Sequence, residues 1–160
     1  MYVLWALAKH NDNQIIHDSP FADSFGTDYD IGVGRPGYGD TKLLTLTPEQ
    51  QAVAKNVAEN SYRPCCGQPA SKPDCSHGYS ALGLIQLMAS EGFSEKEIYD
   101  AFVKFNTFWF PANYIKDALY FKVTENKSWD QVDKQLVAGP QFSSSSGAQQ
   151  VAAALQNAGF

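Results

Sequence analysis

The stretch TPEQQAVAKNVAEN, residues 47–60, decides the fold class, because it carries both a helix start signal and a helical apolar stripe. Thr47 is a favourable N-cap residue, Pro48 fits the first helical position, and Gln50 completes a capping box with Thr47. The apolar stripe consists of Ala52, Val53, Val57 and Ala58. Side chains spaced in this way share one helical face, so the stretch is predicted to form an amphipathic helix.

Similar start and stop signals recur towards the C-terminus. A helix is predicted over residues 76–90, with Gly92 placed where a left-handed C-terminal cap requires glycine. Later helices are predicted at the capping boxes of Ser94 with Glu97 and Ser128 with Gln131, after Pro111, and from about Ser146. Residues 45–160 are therefore predicted to form a compact all-α domain, a bundle of about five helices that contains the segment 61–78.

Residues 1–44 lack this regularity. The stretch SPFADSFGTDYDIGVGRPGYGD, residues 19–40, is rich in Gly, Pro and Asp, which favour turns and oppose long helices. We predict an irregular N-terminal arm with short strands at residues 2–6 and around Ile31. The spacing of its carboxylates fits no EF-hand, so a solvated acidic loop is favoured over a calcium site for Asp18, Asp23, Asp28 and Asp30.

Length and charge limit the classes of function. At 160 residues and 44% hydrophobic content, the chain is long enough for one well-buried core and too short for two full domains. Its formal net charge of -5 and the lack of a Lys/Arg cluster argue against nucleic acid or an anionic membrane surface as a partner. The apolar opening MYVLWALA is too short to cross a bilayer, so no transmembrane span is expected in this chain.

All three cysteines and one histidine fall within the segment SYRPCCGQPASKPDCSHG, residues 61–78. Thiolate and imidazole are ligands that zinc and copper prefer. A helix that begins beside the last cysteine would favour its thiolate form. The candidate metal ligands are Cys65, Cys66, Cys75 and His77, and His17 in the N-terminal arm is a further candidate.

The spacing leaves other interpretations open. Zinc sites usually carry cysteine pairs separated by two to four residues, whereas Cys65 and Cys66 are adjacent and tend to point apart. A disulfide from Cys65 or Cys66 to Cys75 would close a loop of about ten residues and contribute about 2–3 kcal/mol. Buried cysteines without either role are the third interpretation.

Two classes of function follow from these interpretations. The first is a transition-metal-binding protein, structural or active in metal handling or electron transfer, with a zinc or copper ion. The second is a structural or interaction module stapled by one disulfide, without metal. Catalysis finds little support, because no G-x-S-x-G or Walker motif occurs and the side chains of Cys75 and His77 are expected to diverge at a helix start.

Residues 65–77, CCGQPASKPDCSH, loosely resemble the CDGSH-type [2Fe-2S] motif through Pro73-Asp74-Cys75 and the nearby histidine. The adjacent first cysteines and the short step from Cys75 to His77 depart from that motif, which makes a [2Fe-2S] cluster less favoured than zinc or copper. Haem is also less favoured. Core packing is preferred over a haem pocket for the aromatic run of Phe105, Phe108, Trp109, Phe110 and Tyr114.

Residues 59–147 are similar to a group of uncharacterised exported or membrane-anchored bacterial proteins. The similarity rests on YRPCCG, PDCSHG, ALGLIQLMASEG, FNTFWFP and SSSSG. It implies an extracytoplasmic location, which favours a disulfide, and it implies no activity or partner.

Overall fold

A computed structural model describes residues 1–20, Gly39 and residues 41–160. Within these ranges the chain forms nine α-helices and one 3-10 turn, with no strand, so the predicted all-α class is confirmed. The helices are α1 (Tyr2–His10), α2 (Gln14–His17), α3 (Pro48–Asn60), α4 (Ser76–Ser90), α5 (Glu95–Trp109), α6 (Pro111–Glu125), α7 (Lys134–Ala138), α8 (Pro140–Ser143) and α9 (Ser145–Asn157). The 3-10 turn, Trp129–Gln131, lies between α6 and α7.

Two compact units make up these residues. The first comprises Met1–Glu59 and Gln68–Ile98, and the second comprises Asn60–Gly67 and Tyr99–Phe160. None of the helices in the described part of the chain is long and apolar enough to cross a membrane.

Close packing of α1 on α4 organises the first unit. A Cβ atom added at Gly83 on α4 would overlap the backbone carbonyl oxygen of Leu4 on α1. One turn earlier on α4, the Ser80 hydroxyl donates a hydrogen bond to the Met1 carbonyl oxygen at 3.0 Å. Small side chains on α4 thus let the two backbones approach, and Trp5 and Ala8 on α1 become buried.

The strand predicted at residues 2–6 is wrong, because these residues belong to α1. A short apolar run without alternation does not distinguish a buried strand from a buried helix. The packing surface offered by α4 stabilises the helix, and periodicity within the run carries no information about that surface. Ile31, Asp23, Asp28 and Asp30 lie outside the described residues.

Gly39 and residues 41–44 lie against the end of α1, where the Gly39 N–H donates to the Lys9 carbonyl at 2.9 Å. The backbone N–H of Asp12 donates to the Thr41 carbonyl at 2.8 Å, and Thr41 N–H donates to the His10 carbonyl at 3.0 Å. The Asn11 side-chain oxygen accepts from the N–H groups of Leu43 and Leu44 at 3.0 and 2.7 Å. These hydrogen bonds hold residues 41–44 against the end of α1, and the described residues there form no sheet.

The capping boxes predicted from the sequence are confirmed. Ser94 N–H donates to Glu97 Oε2 at 2.9 Å, and the Glu97 N–H donates back to the Ser94 hydroxyl at 3.4 Å. Thr47 with Gln50 and Ser128 with Gln131 make equivalent reciprocal contacts. These signals are readable in the sequence because both partners lie within one turn.

Replacing Ser94 with alanine is expected to lower the free energy of unfolding by about 1 kcal/mol, because an N–H at the start of α5 loses its acceptor. Urea unfolding measures this loss. Ser94→Gly is the control, since glycine is tolerated at the N-cap and should cost only a few tenths of a kcal/mol, roughly. A Ser94→Ala variant as stable as the wild-type protein would show that the hydroxyl contributes no capping.

The second unit is built on α6, α8 and α9. Phe121 on α6 stacks on Phe142 on α8, with ring centroids 4.8 Å apart. A Cβ atom added at Gly147, near the start of α9, would overlap the Pro140 carbonyl oxygen. Glycine at this position therefore lets α9 pack directly against the α8 backbone.

The helix predicted from Ser128 is interrupted. Val132 has an extended backbone (φ -81°, ψ 133°) and separates the 3-10 turn from α7, whose N-cap is Asp133. The preference for core packing of the aromatic run is wrong for Phe108, which is 77% exposed, whereas Tyr114 is buried. Phe108 is exposed because it lies on the side of α5 opposite the buried residues Phe102 and Asn106.

Candidate metal centre

The loop between α3 and α4, residues 61–75, holds most of the predicted ligands. Two turns shape it: Cys66 N–H donates to the Arg63 carbonyl at 3.2 Å, and Lys72 N–H donates to the Pro69 carbonyl at 3.0 Å. The Ser71 N–H donates to the Ala58 carbonyl at 3.0 Å. Prolines in the loop restrict its backbone and remove N–H donors.

Three predicted ligands come together in this segment. The ligand atoms of Cys65, Cys75 and His77 all lie within 4.8 Å of one another. Zinc bonds of 2.0–2.3 Å in tetrahedral geometry place ligand atoms about 3.3–3.8 Å apart. A Cys2His group of this kind could hold a metal ion.

The N-terminal end of α4 explains how Cys75 and His77 meet. Cys75 is the N-cap residue, its backbone is extended (φ -156°, ψ 173°), and its side chain makes no capping hydrogen bond. Its carbonyl accepts the first helical hydrogen bond, from Tyr79 N–H at 3.0 Å. The expected divergence of Cys75 and His77 is wrong, because it assumed helical geometry at both residues.

The electrostatic setting of this helix start favours a thiolate. α4 is 15 residues long, and the partial positive charge at its N-terminus lies next to the Cys75 side chain. A thiolate is the form of cysteine that binds metal. The Cys75 side chain is half-buried, as is that of His77, whereas Cys65 is exposed.

Cys66 is outside the Cys2His group. Its sulfur accepts a hydrogen bond from Nη2 of Arg63 at 3.2 Å. The backbone carbonyl of Cys66 accepts from Ser145 N–H at 2.9 Å. Cys66 as a metal ligand therefore stays a prediction. Arg63, its fully buried neighbour, was not among the predicted site residues.

His17 is likewise outside the group. It ends α2, and its Nε2 lies 3.0 Å from Oδ1 of Asp12. Both side chains are largely exposed, at 45% and 42%. A ligand role for His17 stays a prediction.

All three cysteines are thiols in the structure, and no disulfide joins them within the described residues. The sulfur atoms of Cys65 and Cys75 nevertheless lie within the 4.8 Å span of the group. A disulfide requires sulfur atoms about 2.05 Å apart, so this pair would have to move closer to form one.

A buried polar cluster in the second unit was not predicted from the sequence. It consists of Asn106 on α5, Tyr114 and Asp117 on α6, and Ser143 on α8, all of them buried. Tyr114 Oη lies 2.6 Å from Ser143 Oγ, which donates to the Val137 carbonyl at 2.7 Å. Burial raises the pKa of Tyr114, and burial raises the pKa of Asp117 to about 7.

The sequence did carry a signal for this cluster. Asp117 is three residues after Tyr114 and four before Phe121, and all three are buried on the same face of α6. A carboxylate inside an apolar helical stripe is rarely buried without a specific reason.

The chain matches no protein-family model, no curated protein and no solved structure at a significant level.

Proposed function

We propose that this protein binds one transition-metal ion, zinc or copper, through Cys65, Cys75 and His77. The observation that carries the proposal is the proximity of their ligand atoms, all within 4.8 Å of one another. Two sulfur atoms and one imidazole nitrogen form a donor set that both metals accept. The role is structural or in metal handling or electron transfer, and no substrate turnover is assigned.

Among the described residues the donor set has three members. Structural zinc sites are closed by four protein ligands, whereas a site with three keeps one position open, which supports metal handling. Cys65 is also the exposed member of the group. A ligand accessible to solvent can exchange its metal with an incoming thiol, which a fully buried site would prevent.

Metal content tests the proposal directly. Protein purified without added metal, then incubated with Zn²⁺ or with Cu⁺ under reducing conditions and desalted, is expected to retain about one equivalent by elemental mass spectrometry. The same sample, unfolded after removal of the metal, should contain three titratable thiols. Absence of bound metal for both ions would overturn the proposal.

Chelation should change stability in the loaded protein. Binding free energy of a metal that binds only the folded state adds to the free energy of unfolding, so a strong chelator is expected to lower the melting temperature by several degrees, roughly. Reductant alone should leave it unchanged. Thermal melts of loaded, chelated and reduced samples make the comparison.

The competing function is an exported structural or interaction module in which Cys75 forms a disulfide with Cys65 or Cys66. The proximity of Cys65 and Cys75 also supports this alternative. It predicts one titratable thiol instead of three, no retained metal, and a melting temperature lowered by reductant and unaffected by chelator. The two functions therefore give opposite results in both measurements.

A further inference from the structure

We propose that Asp117 is a pH-responsive element of the second unit, where gain or loss of one proton on a buried carboxyl group sets how firmly α6 is held against α8. Asp117 is not a member of the Cys2His group, and Tyr114 interacts electrostatically with both Asp117 and Cys65. The pH response rests on the burial of Asp117, on the directions of the hydrogen bonds made by Tyr114 and Ser143, and on the contacts of α6 within the unit.

The Asp117 side chain is almost completely inside the protein. The residue is 1% exposed, and its Oδ2 atom is buried without a hydrogen-bond partner. A neutral carboxyl group tolerates such a position far better than a carboxylate, because burial removes the water that stabilises the charge. Protonated Asp117 is therefore the form that the packed unit accepts.

Neighbouring hydroxyl groups cannot serve the carboxylate without rearrangement. The single Ser143 hydroxyl proton is donated to the Val137 carbonyl, so the short contact between Tyr114 and Ser143 must use the Tyr114 proton. Both hydroxyl protons are thus committed. If ionised Asp117 recruited the Tyr114 hydroxyl, the bond that ties α6 to Ser143 at the end of α8 would be lost.

Compensating charge does not come from the surrounding elements of this unit. Burial is the one cause that raises the pKa of Asp117 to about 7. Helices α8 and α9 contain no titratable side chain. The titratable group that interacts electrostatically with Asp117 is Tyr114. The charged side chains on the other elements of the unit are Arg63, Asp100, Lys104, Lys116, Lys122, Glu125, Lys127, Asp130, Asp133 and Lys134.

The sign of the pH dependence follows from the two pKa values. An unfolded aspartate has a pKa near 3.9, roughly, and the folded pKa is about 7, so the folded state binds more protons between these values. The stabilisation from the neutral carboxyl is complete below about pH 4 and is lost as the pH rises to about 7. Above pH 7 the ionisation of Asp117 causes no further change in the free energy of unfolding with pH.

Unfolding measured by urea titration between pH 5 and pH 9 tests the proposal on the complete chain. The wild-type unfolding equilibrium constant is expected to rise up to about tenfold per pH unit below pH 7 and then to level off. In Asp117→Asn, which keeps the shape of the side chain without a charge, the unfolding equilibrium constant should not show this rise below pH 7. Asp130→Asn is the matched control, because Asp130 is exposed and its pKa is lowered by the hydrogen bond from Ser128.

A direct titration covers the case in which Asp117→Asn does not fold. The side-chain carboxyl carbon of Asp117, followed by NMR in the wild-type protein, should titrate with a midpoint near 7. Amide hydrogen exchange of α6, corrected for its intrinsic pH dependence, should accelerate across the same range. A midpoint below 5, or equal pH profiles for wild type and Asp117→Asn, would overturn the proposal.

Discussion

Gly83→Ala is expected to lower the free energy of unfolding by about 1–3 kcal/mol, because the added methyl group overpacks the contact between α4 and α1. The added carbon would overlap the carbonyl oxygen of Leu4. A backbone atom cannot rotate away as a long side chain can, so α1 must move as a whole. Such a movement would expose Trp5 and Ala8, which are now buried.

Three terms set the size of this loss, one favourable to the variant and two unfavourable. Alanine is a better helix former than glycine by about 1 kcal/mol, which favours the variant within α4. Overpacking of a well-packed contact costs about 1–3 kcal/mol and more when backbone must shift. Loss of apolar burial along α1 adds about 25 cal/mol for each Å² returned to water. The unfavourable terms therefore exceed the gain in helix propensity.

Two variants separate the steric effect from other causes. Gly67→Ala is the matched control, because a Cβ atom at Gly67 meets no atom within 4 Å. Ser80→Ala removes the hydrogen bond to the Met1 carbonyl without adding volume and should cost about 1 kcal/mol. Urea unfolding measures all three. A Gly83→Ala variant as stable as Gly67→Ala would show that α1 does not pack on α4 as described.

Local signals in the sequence predicted the starts of the long helices. Thr47 with Gln50, and Ser94 with Glu97, act within one helical turn, so their pattern depends on no other part of the fold. The N-terminal helix lacked such a signal. Met1 precedes α1 without a side-chain cap, and the apolar residues that follow are helical because α4 provides a surface for them. That surface depends on Gly83, 79 residues after Leu4 in the sequence.

The candidate site was predictable in composition and not in geometry. Cys65, Cys75 and His77 were predicted as ligands because their side-chain chemistry suits zinc and copper. Which cysteines meet depends on backbone angles: Cys75 is extended at the N-cap, and the sulfur of Cys66 is bonded to Arg63. Spacing alone does not determine either of these. Asp117, in contrast, shares a helical spacing with the buried residues Tyr114 and Phe121, which the sequence alone shows.

Cys75→Ser is expected to weaken metal binding by two to three orders of magnitude, roughly, relative to the wild-type protein. Structural zinc binding by small domains is worth about 10–16 kcal/mol with four ligands, so each ligand accounts for about 2.5–4 kcal/mol. Cys65→Ser and His77→Ala should produce losses of similar size, because all three ligand atoms fall within 4.8 Å of one another. Competition with a chromogenic zinc chelator measures each affinity.

Cys66→Ser is the matched control, since it removes an adjacent thiol whose sulfur contacts Arg63 and lies outside the Cys2His group. Its metal affinity should stay within about threefold of wild type, because no ligand is lost. Equal weakening by Cys66→Ser and Cys65→Ser would mean that both adjacent sulfur atoms reach the metal, and the three-ligand assignment would be wrong. If instead none of the four variants alters retained metal, the ion is bound elsewhere.

A thiolate site should also bind metal more tightly as the pH rises from 6 to 8, because its ligands must lose protons to bind. The stabilisation from Asp117, in contrast, declines over the lower part of that range. The opposite directions allow the two effects to be separated in one protein.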